Sequence, residues 1–252
     1  MPVPAFAGSR HRDGISCFVL LKRLISFLPA GIQQGLRRLK IHMDIRRGRF
    51  RPNDPEYEQL PLFVKPGDWV IDIGANVGYY TWRLSHLVGQ QGRVLAIEPI
   101  PETVEMLMSV IGTLPCDNVT TFNIAASDQP GIIHFSVPKS EDHSLPDYFL
   151  ARACENGGRS IYACSVDQIA PPHRVSFVKI DTEGHEYQVV QGMQKLIDRD
   201  RPVIVVEGDA NCDAVRFLVD KMGYTASPRA GKSANTLLKP ATGDGREATP
   251  GR

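Results

Sequence analysis

From Trp69 onward, short β-branched runs alternate with longer stretches whose apolar residues recur at helical spacing, the pattern of a parallel sheet covered by helices. The runs predict strands over Trp69 to Ile73, Arg93 to Glu98, Val119 to Ala125, Ser176 to Asp181 and Val203 to Glu207. Helices are expected between them, at about Tyr79 to Val88, Pro101 to Ile111, His185 to Ile197 and Ala214 to Met222. Pro101 suits a first helical turn, and Gly112 and Gly223 stand where helices stop. Two more runs, Gly131 to Val137 and Arg159 to Val166, read as extra strands, and the polar residues 138–158 between them as a long loop or lid. Tyr224 to Ala226 and Asn235 to Leu238 read as a closing hairpin, followed from Lys239 by a Gly-, Pro- and charge-rich tail expected to be disordered.

Composition changes this picture mainly at the amino terminus. A length of 252 residues with 42% hydrophobic and 23% charged content fits one α/β domain, placed at residues 56–238. The net charge of +1 hides an asymmetry: residues 1–51 hold eleven Lys or Arg against Asp13 and Asp44, leaving 18 basic and 26 acidic residues beyond them. Residues 1–55 are therefore read as a basic helical arm. Its apolar run from Ile15 to Leu28 is interrupted by Lys22 and Arg23, so neither a membrane-spanning helix nor a signal peptide is expected. The arm is read as a cap on the domain, with contact to an anionic membrane surface as the alternative. The acidic body argues against a nucleic-acid track. Five cysteines without a CxxC pair or zinc-like spacing point to a reducing cytoplasm.

The chemistry concentrates at predicted strand ends. Asp72-Ile73-Gly74-Ala75-Asn76-Val77-Gly78 joins the first strand to the first helix, a nucleotide-type site at the carboxyl end of a strand. A dinucleotide fingerprint requires glycine where Asn76 stands, and Asp72 would repel a phosphate, so the ligand is expected to be cationic at this end. Glu98, twenty residues beyond Gly78 and followed by Pro99, is placed to accept the hydroxyls of a ribose. Adenosine with a cationic amino-acid tail is S-adenosylmethionine. Ala125-Ala126-Ser127-Asp128 is placed to cover the adenine, with Asp128 accepting from its amine, although Asp128 equally suits the turn before Gly131. The segment Lys179-Ile180-Asp181-Thr182-Glu183-Gly184-His185-Glu186 and the end Glu207-Gly208-Asp209 gather charges that suit an acceptor pocket.

With these motifs in this order over residues 56–238, the sequence resembles the FkbM family of methyltransferases. The resemblance implies a Rossmann-like methyltransferase sheet and methyl transfer to a hydroxyl. Acceptors in that family include macrolide hydroxyls and sugar hydroxyls, among them fucose units of rhizobial nodulation factors.

A sugar hydroxyl is too weak an acid to ionise near neutral pH, so a base or a metal ion must assist it. His185 is the expected proton acceptor, Asp181 its partner or the orienter of the acceptor, and Lys179 an orienter of the acceptor or an ion-pair partner. Asp181, Glu207 and Asp209 would be the ligands of a divalent cation, a route not favoured here because such carboxylates are common without metal. The rivals are a nucleotide-dependent oxidoreductase, opposed by Asn76 and by the lack of a Tyr-x-x-x-Lys pair, and a non-catalytic scaffold, opposed by Asp72, Glu98 and Asp181.

Overall fold

The structure, a computed structural model, describes Ile25 and residues 27–138, 151–154, 157–228 and 233–241. Arm residues 1–24, residues 139–150 of the predicted lid and the tail from residue 242 lie outside the described residues.

Helices α1 (Ala30–Arg46) and α2 (Pro55–Phe63) precede the sheet. Then follow β1 (Trp69–Ile73), α3 (Tyr79–Val88), β2 (Arg93–Ile97), α4 (Pro101–Ile111) and β3 (Val119–Phe122). A smaller unit comes next: β4 (Ala125–Ser127), β5 (Gly131–Ser136), β6 (Arg152–Cys154), β7 (Arg159–Ser165) and the single turn α5 (Val166–Ile169). The chain returns through β8 (Val175–Ile180), α6 (Glu186–Gln191), α7 (Gln194–Asp200), β9 (Val203–Glu207), α8 (Asp213–Asp220), β10 (Tyr224–Ala226) and β11 (Asn235–Pro240).

The main sheet has the order β10-β11-β9-β8-β1-β2-β3, parallel except for β11, which runs antiparallel to both its neighbours. This is a Rossmann-like α/β fold, with β1 and β8 as central neighbours. Alternation along β1 puts helices on both faces. Val70 packs with Tyr57, Leu60, Tyr80 and Leu84 from α2 and α3, whereas Ile71 and Ile73 join Val189, Val190, Ile197 and Leu218 from α6, α7 and α8. Because both faces are covered, the central strands β1 and β8 are apolar apart from Asp72 on β1 and Ser176 and Lys179 on β8.

The structure differs from the sequence expectation in five places. The third strand is not continuous: Asn123 donates to the carbonyls of Glu98 and Pro99, and β4 then leaves the main sheet to pair with β7 in a second sheet, β4-β7-β5-β6. The helix expected over His185 to Ile197 breaks at Gly192, where a Cβ would stand 1.9 Å from the Ser127 carbonyl oxygen. Within the expected loop, Arg152–Cys154 forms an edge strand on β5. The expected tail starts two residues late, since Lys239 and Pro240 complete β11 against Thr225 and Tyr224. The helix α2, which the periodicity did not indicate, begins with Pro55 in its first turn and buries Glu56, Tyr57 and Leu60.

Candidate functional site

The carboxyl ends of β1, β2 and β8 open on a crevice of about 210 Å³, closed from the side by β4 and β5. Gly74, Asn76, Glu98, Pro99, Ala126, Asp181 and His185 line it, together with Phe135 on β5 and Ala151 just before β6. The glycines serve protein contacts. Gly74, at φ +76°, lies so close to β8 that a Cβ would meet the Asp181 carbonyl oxygen at 1.7 Å, while Gly78, at φ +97°, lies against Leu107. Ala75 is buried, its N–H donating to the Ile97 carbonyl. Asn76 adopts φ +50°, which asparagine tolerates, and its Oδ1 accepts from Val77 N–H.

Glu98 is buried with its carboxyl at the crevice wall, Oε2 accepting from Asn76 N–H at 2.9 Å and Oε1 from Ile100 N–H at 2.9 Å. Burial pushes its pKa up to about 7 against those two bonds, with smaller pushes from Asp72 and Asp181. Each oxygen keeps a lone pair for a ligand hydroxyl. Asp72 stands behind the crevice wall. It is fully buried, accepts from Thr81 Oγ1 at 2.6 Å, and is raised to about 6 by burial, opposed by Thr81 and by Lys179. Asp72, expected at the cationic end of the ligand, therefore does not itself line the crevice.

Lys179 is 1% exposed. Its ammonium is hydrogen-bonded to Asn235 Oδ1 at 2.9 Å, Asp181 Oδ2 at 3.2 Å and the Ile180 carbonyl at 3.4 Å, and lies 5.2 Å from the centre of the Tyr80 ring. All three of its donors are thus engaged inside the protein, and it supports Asp181 from behind. The expected acid trio changes membership. Oxygens of Asp181, Glu183 and Glu207 come within 4.8 Å of one another, whereas Asp209 Oδ1 accepts from Asn211 N–H in its own turn. The trio has the hard-oxygen chemistry that a divalent cation prefers. Glu207 is held well above the ordinary carboxylate range, by burial first, then by Asp181 and Glu183 and by a hydrogen bond to Asp181. Glu183 is also raised by burial and by Asp181, with Arg152 opposing at 3.4 Å. Glu186 ties the turn together, its Oε1 accepting from Thr182 N–H, Thr182 Oγ1 and Gly184 N–H.

His185 sits between this turn and the second sheet. Its Nε2 is 3.0 Å from Ser127 Oγ, and Ser127 Oγ–H donates to Asp128 Oδ1 at 3.0 Å. Burial lowers the imidazole pKa below its ordinary value, with Asp128 and Glu186 pulling the other way. Ser127 and Asp128, expected at an adenine edge, are thus joined to the candidate base; neither lines the crevice, although Ala126 beside them does. Sequence reasoning missed Thr81, Asn235 and the crevice wall of Phe135 and Ala151. Only Asn235 left a trace, as a polar residue opening an apolar strand.

A family model described as the methyltransferase FkbM domain matches residues 72–226. Among curated proteins, the protein-L-isoaspartate O-methyltransferase of Methanocella arvoryzae is 38% identical over 61 residues, 24% of this chain and 32% of that enzyme. Its counterpart in Fervidobacterium nodosum is 41% identical over 59 residues, 23% of this chain and 30% of that one. The chain spans between 26% and 32% of the length of the curated relatives it matches. Among solved structures, a methyltransferase FkbM from Methylobacillus flagellatus is 15% identical, with a TM-score of 0.48 over 88% of this chain and 58% of that one. A methyltransferase from Geobacter sulfurreducens is 14% identical, with a TM-score of 0.46 over 87% and 93%.

Proposed function

Since the chain belongs to the FkbM methyltransferase family, we propose that it transfers the methyl group of S-adenosylmethionine to a hydroxyl of a glycan or small molecule, a sugar hydroxyl such as a fucose of a glycolipid. The observation that carries this reading is the placement of His185, lowered in pKa and so neutral near pH 7, on the wall of the crevice that Glu98 also lines.

The fit to the cofactor rests on charge. Glu98 and Asp181 line the crevice and Asp72 stands behind it; Asp181 adds to the raised proton affinity of Asp72 and Glu98, and Asp72 to that of Glu98, an arrangement that suits a cation and opposes a pyrophosphate. Glu98 would accept the ribose hydroxyls, and the Gly74 to Asn76 turn would hold the amino-acid end above Asp72. Bound S-adenosylmethionine supplies a methyl carbon activated by a sulfonium.

The chain's own residues then have two tasks. They hold the acceptor oxygen in line behind that carbon and exclude water, and they remove the hydroxyl proton. With the Ser127 hydrogen committed to Asp128, Nε2 of His185 must be the donor to Ser127 Oγ. The lone pair then lies on Nδ1, which takes the acceptor proton as the methyl ether forms. Asp181, held by Lys179, orients the acceptor hydroxyl.

The test pairs calorimetry with label transfer. Binding of S-adenosylmethionine but not NAD is expected, followed by transfer of labelled methyl to an oxygen in a panel of glycans, glycolipids, polyketides and an isoaspartyl peptide. Binding of NAD alone, or label on the peptide carboxyl only, overturns the reading.

A further inference from the structure

The first helix carries two apolar faces. Ile41 and Ile45 pack inward with Phe50, Val77, Met106 and Val110. On the opposite side Ile32, Leu36, Leu39 and Met43 recur at i, i+4, i+7 and i+11, within an arc of about 60° at the α-helical angle per residue. These four are exposed, Ile32 to 51% and Leu39 to 56%, and Phe27 just before the helix to 86%. A core-facing helix needs one such stripe; the second is unpartnered among the described residues.

Charge selects what fits it. The outward face of α1 carries Arg46 and also Lys40, whose ammonium pairs with the partly buried Asp44 at 2.6 Å, and Arg47 and Arg49, both exposed, follow directly. A second copy of the chain would bring the same positive face, because residues 1–51 hold eleven basic residues against two acidic ones. Residues 1–24, with Arg10, Arg12, Lys22 and Arg23 against Asp13, carry the same sign. An aliphatic stripe bordered by arginines is complementary to a surface that is apolar beneath and anionic on top. Among the described residues, no helix is long and apolar enough to cross a membrane, so the helix would lie on such a surface.

We propose that α1 is an interfacial helix that seats the protein on an anionic lipid bilayer, with Ile32, Leu36, Leu39 and Met43 at the acyl boundary and Arg46, Arg47 and Arg49 against the headgroup phosphates. Its direction gives the seat a consequence for the crevice. Arg38 pairs with Glu105 and His42 with Ser109, both at a separation of 67 residues, so α1 runs in the same direction as α4. The first turn of α1 therefore continues past Pro101, toward the sheet edge that bears Glu98. A seated helix brings that edge toward the lipid, where an acceptor carried on a headgroup would be within its neighbourhood.

The experiment is flotation of the full chain with phosphatidylcholine vesicles, with and without phosphatidylglycerol, read independently of turnover. Flotation only with phosphatidylglycerol is expected, falling as salt rises. Leu39→Asp should weaken it about tenfold to a hundredfold, the loss of one buried leucine. Arg46→Glu combined with Arg47→Glu should abolish it. These side chains are solvent-exposed, and unchanged thermal melting will verify that the variants fold. Three outcomes overturn the proposal: no flotation at low salt, a Leu39→Asp protein that floats like the parent, or an oligomer in gel filtration that Leu39→Asp dissolves while flotation is absent, which would assign the stripe to a second copy.

Discussion

Ser127 Oγ stands 3.0 Å from Nε2 of His185, a bond that, with the Arg152 to Glu183 contact, joins the small second sheet to the acceptor side of the main one. Because a carboxylate can only accept, the Ser127 hydrogen belongs to Asp128, which fixes the imidazole tautomer. His185→Ala should lower the single-turnover rate by roughly a hundred- to ten-thousand-fold, as loss of a general base does, while the calorimetric affinity for S-adenosylmethionine stays the same. Ser127→Ala should cost less, since Nδ1 remains available in part of the population. A His185→Ala enzyme with the parent rate would remove His185 from the chemistry.

Glu98 sets a pH signature for cofactor binding. Its pKa of about 7 and that of Asp72 at about 6 mean that both are partly protonated in the empty crevice at neutral pH. A cationic ligand favours the ionised forms, so affinity for S-adenosylmethionine should tighten as pH rises from about 6 to about 8, with protons released on binding. S-adenosylhomocysteine, which lacks the sulfonium charge, should show a shallower slope. Calorimetry in buffers of different ionisation enthalpy measures the proton count directly. Glu98→Gln should weaken binding and flatten the slope together; a retained slope would place the titration elsewhere.

The same raised values predict the stability of the empty protein. A carboxyl whose folded pKa lies above its unfolded value contributes stability that is present below the unfolded value, near 4, and is lost as pH climbs through the folded one. Asp72, Glu98, Glu183 and Glu207 all carry this sign. His185, lowered by burial, works oppositely and only at the acid end of the window. The ligand-free melting temperature should therefore fall between about pH 5.5 and pH 8, by an amount on the order of a few kcal/mol in unfolding free energy. Saturating S-adenosylmethionine should reduce that fall, as scanning calorimetry at the two pH values will reveal.

Asn235 tests how the acids are held. Its Oδ1 is one of the three acceptors of the buried Lys179 ammonium, and Ser233 in turn accepts from Asn235 N–H and donates to the buried Glu56. Asn235→Leu leaves the ammonium short of a partner, at a cost of about 1–3 kcal/mol in denaturant unfolding. Turnover should fall as well, because Lys179 is what braces Asp181. Asn235→Asp restores an acceptor and should recover turnover. A variant destabilised to the same degree but with the parent turnover number would make the bond structural only.

Much of this arrangement was legible in the chain. The strands Trp69 to Ile73 and Val203 to Glu207 and the helices Tyr79 to Val88 and Pro101 to Ile111 fall where the periodicity places them, because a two-faced sheet enforces unbroken apolar runs and capped amphipathic helices. Gly74, Asn76, Glu98 and Asp181 meet in one crevice because all sit at carboxyl ends of neighbouring parallel strands. What escaped depends on contacts between distant segments. No local pattern announces that Asn123 will turn the chain out of the sheet, that Asn235 will meet Lys179, or that Glu183 rather than Asp209 will join Asp181. The direction of Asp72 was obscured for a related reason: a strand-end acid looks solvent-facing in sequence, yet its side chain alternates inward, toward Thr81.

Gly192 offers the sharpest separation of positioning from stability. A Cβ there would stand 1.9 Å from the Ser127 carbonyl oxygen and 3.1 Å from the Asp128 Cα, backbone that cannot swing aside as a side-chain tip would. Gly192→Ala must therefore push β4 away from α6, and β4 carries the hydroxyl that holds His185. Turnover should drop by roughly tenfold or more while S-adenosylmethionine affinity, which rests on Glu98 and the Gly74 turn, changes little. Overpacking of this kind also costs about 1–3 kcal/mol of stability. The control is Gly35→Ala on α1, where a Cβ meets nothing within 4 Å; it should raise stability by up to about 1 kcal/mol through helix propensity and leave turnover unchanged. Equal turnover in both variants would show that the β4 to α6 approach does not govern the base.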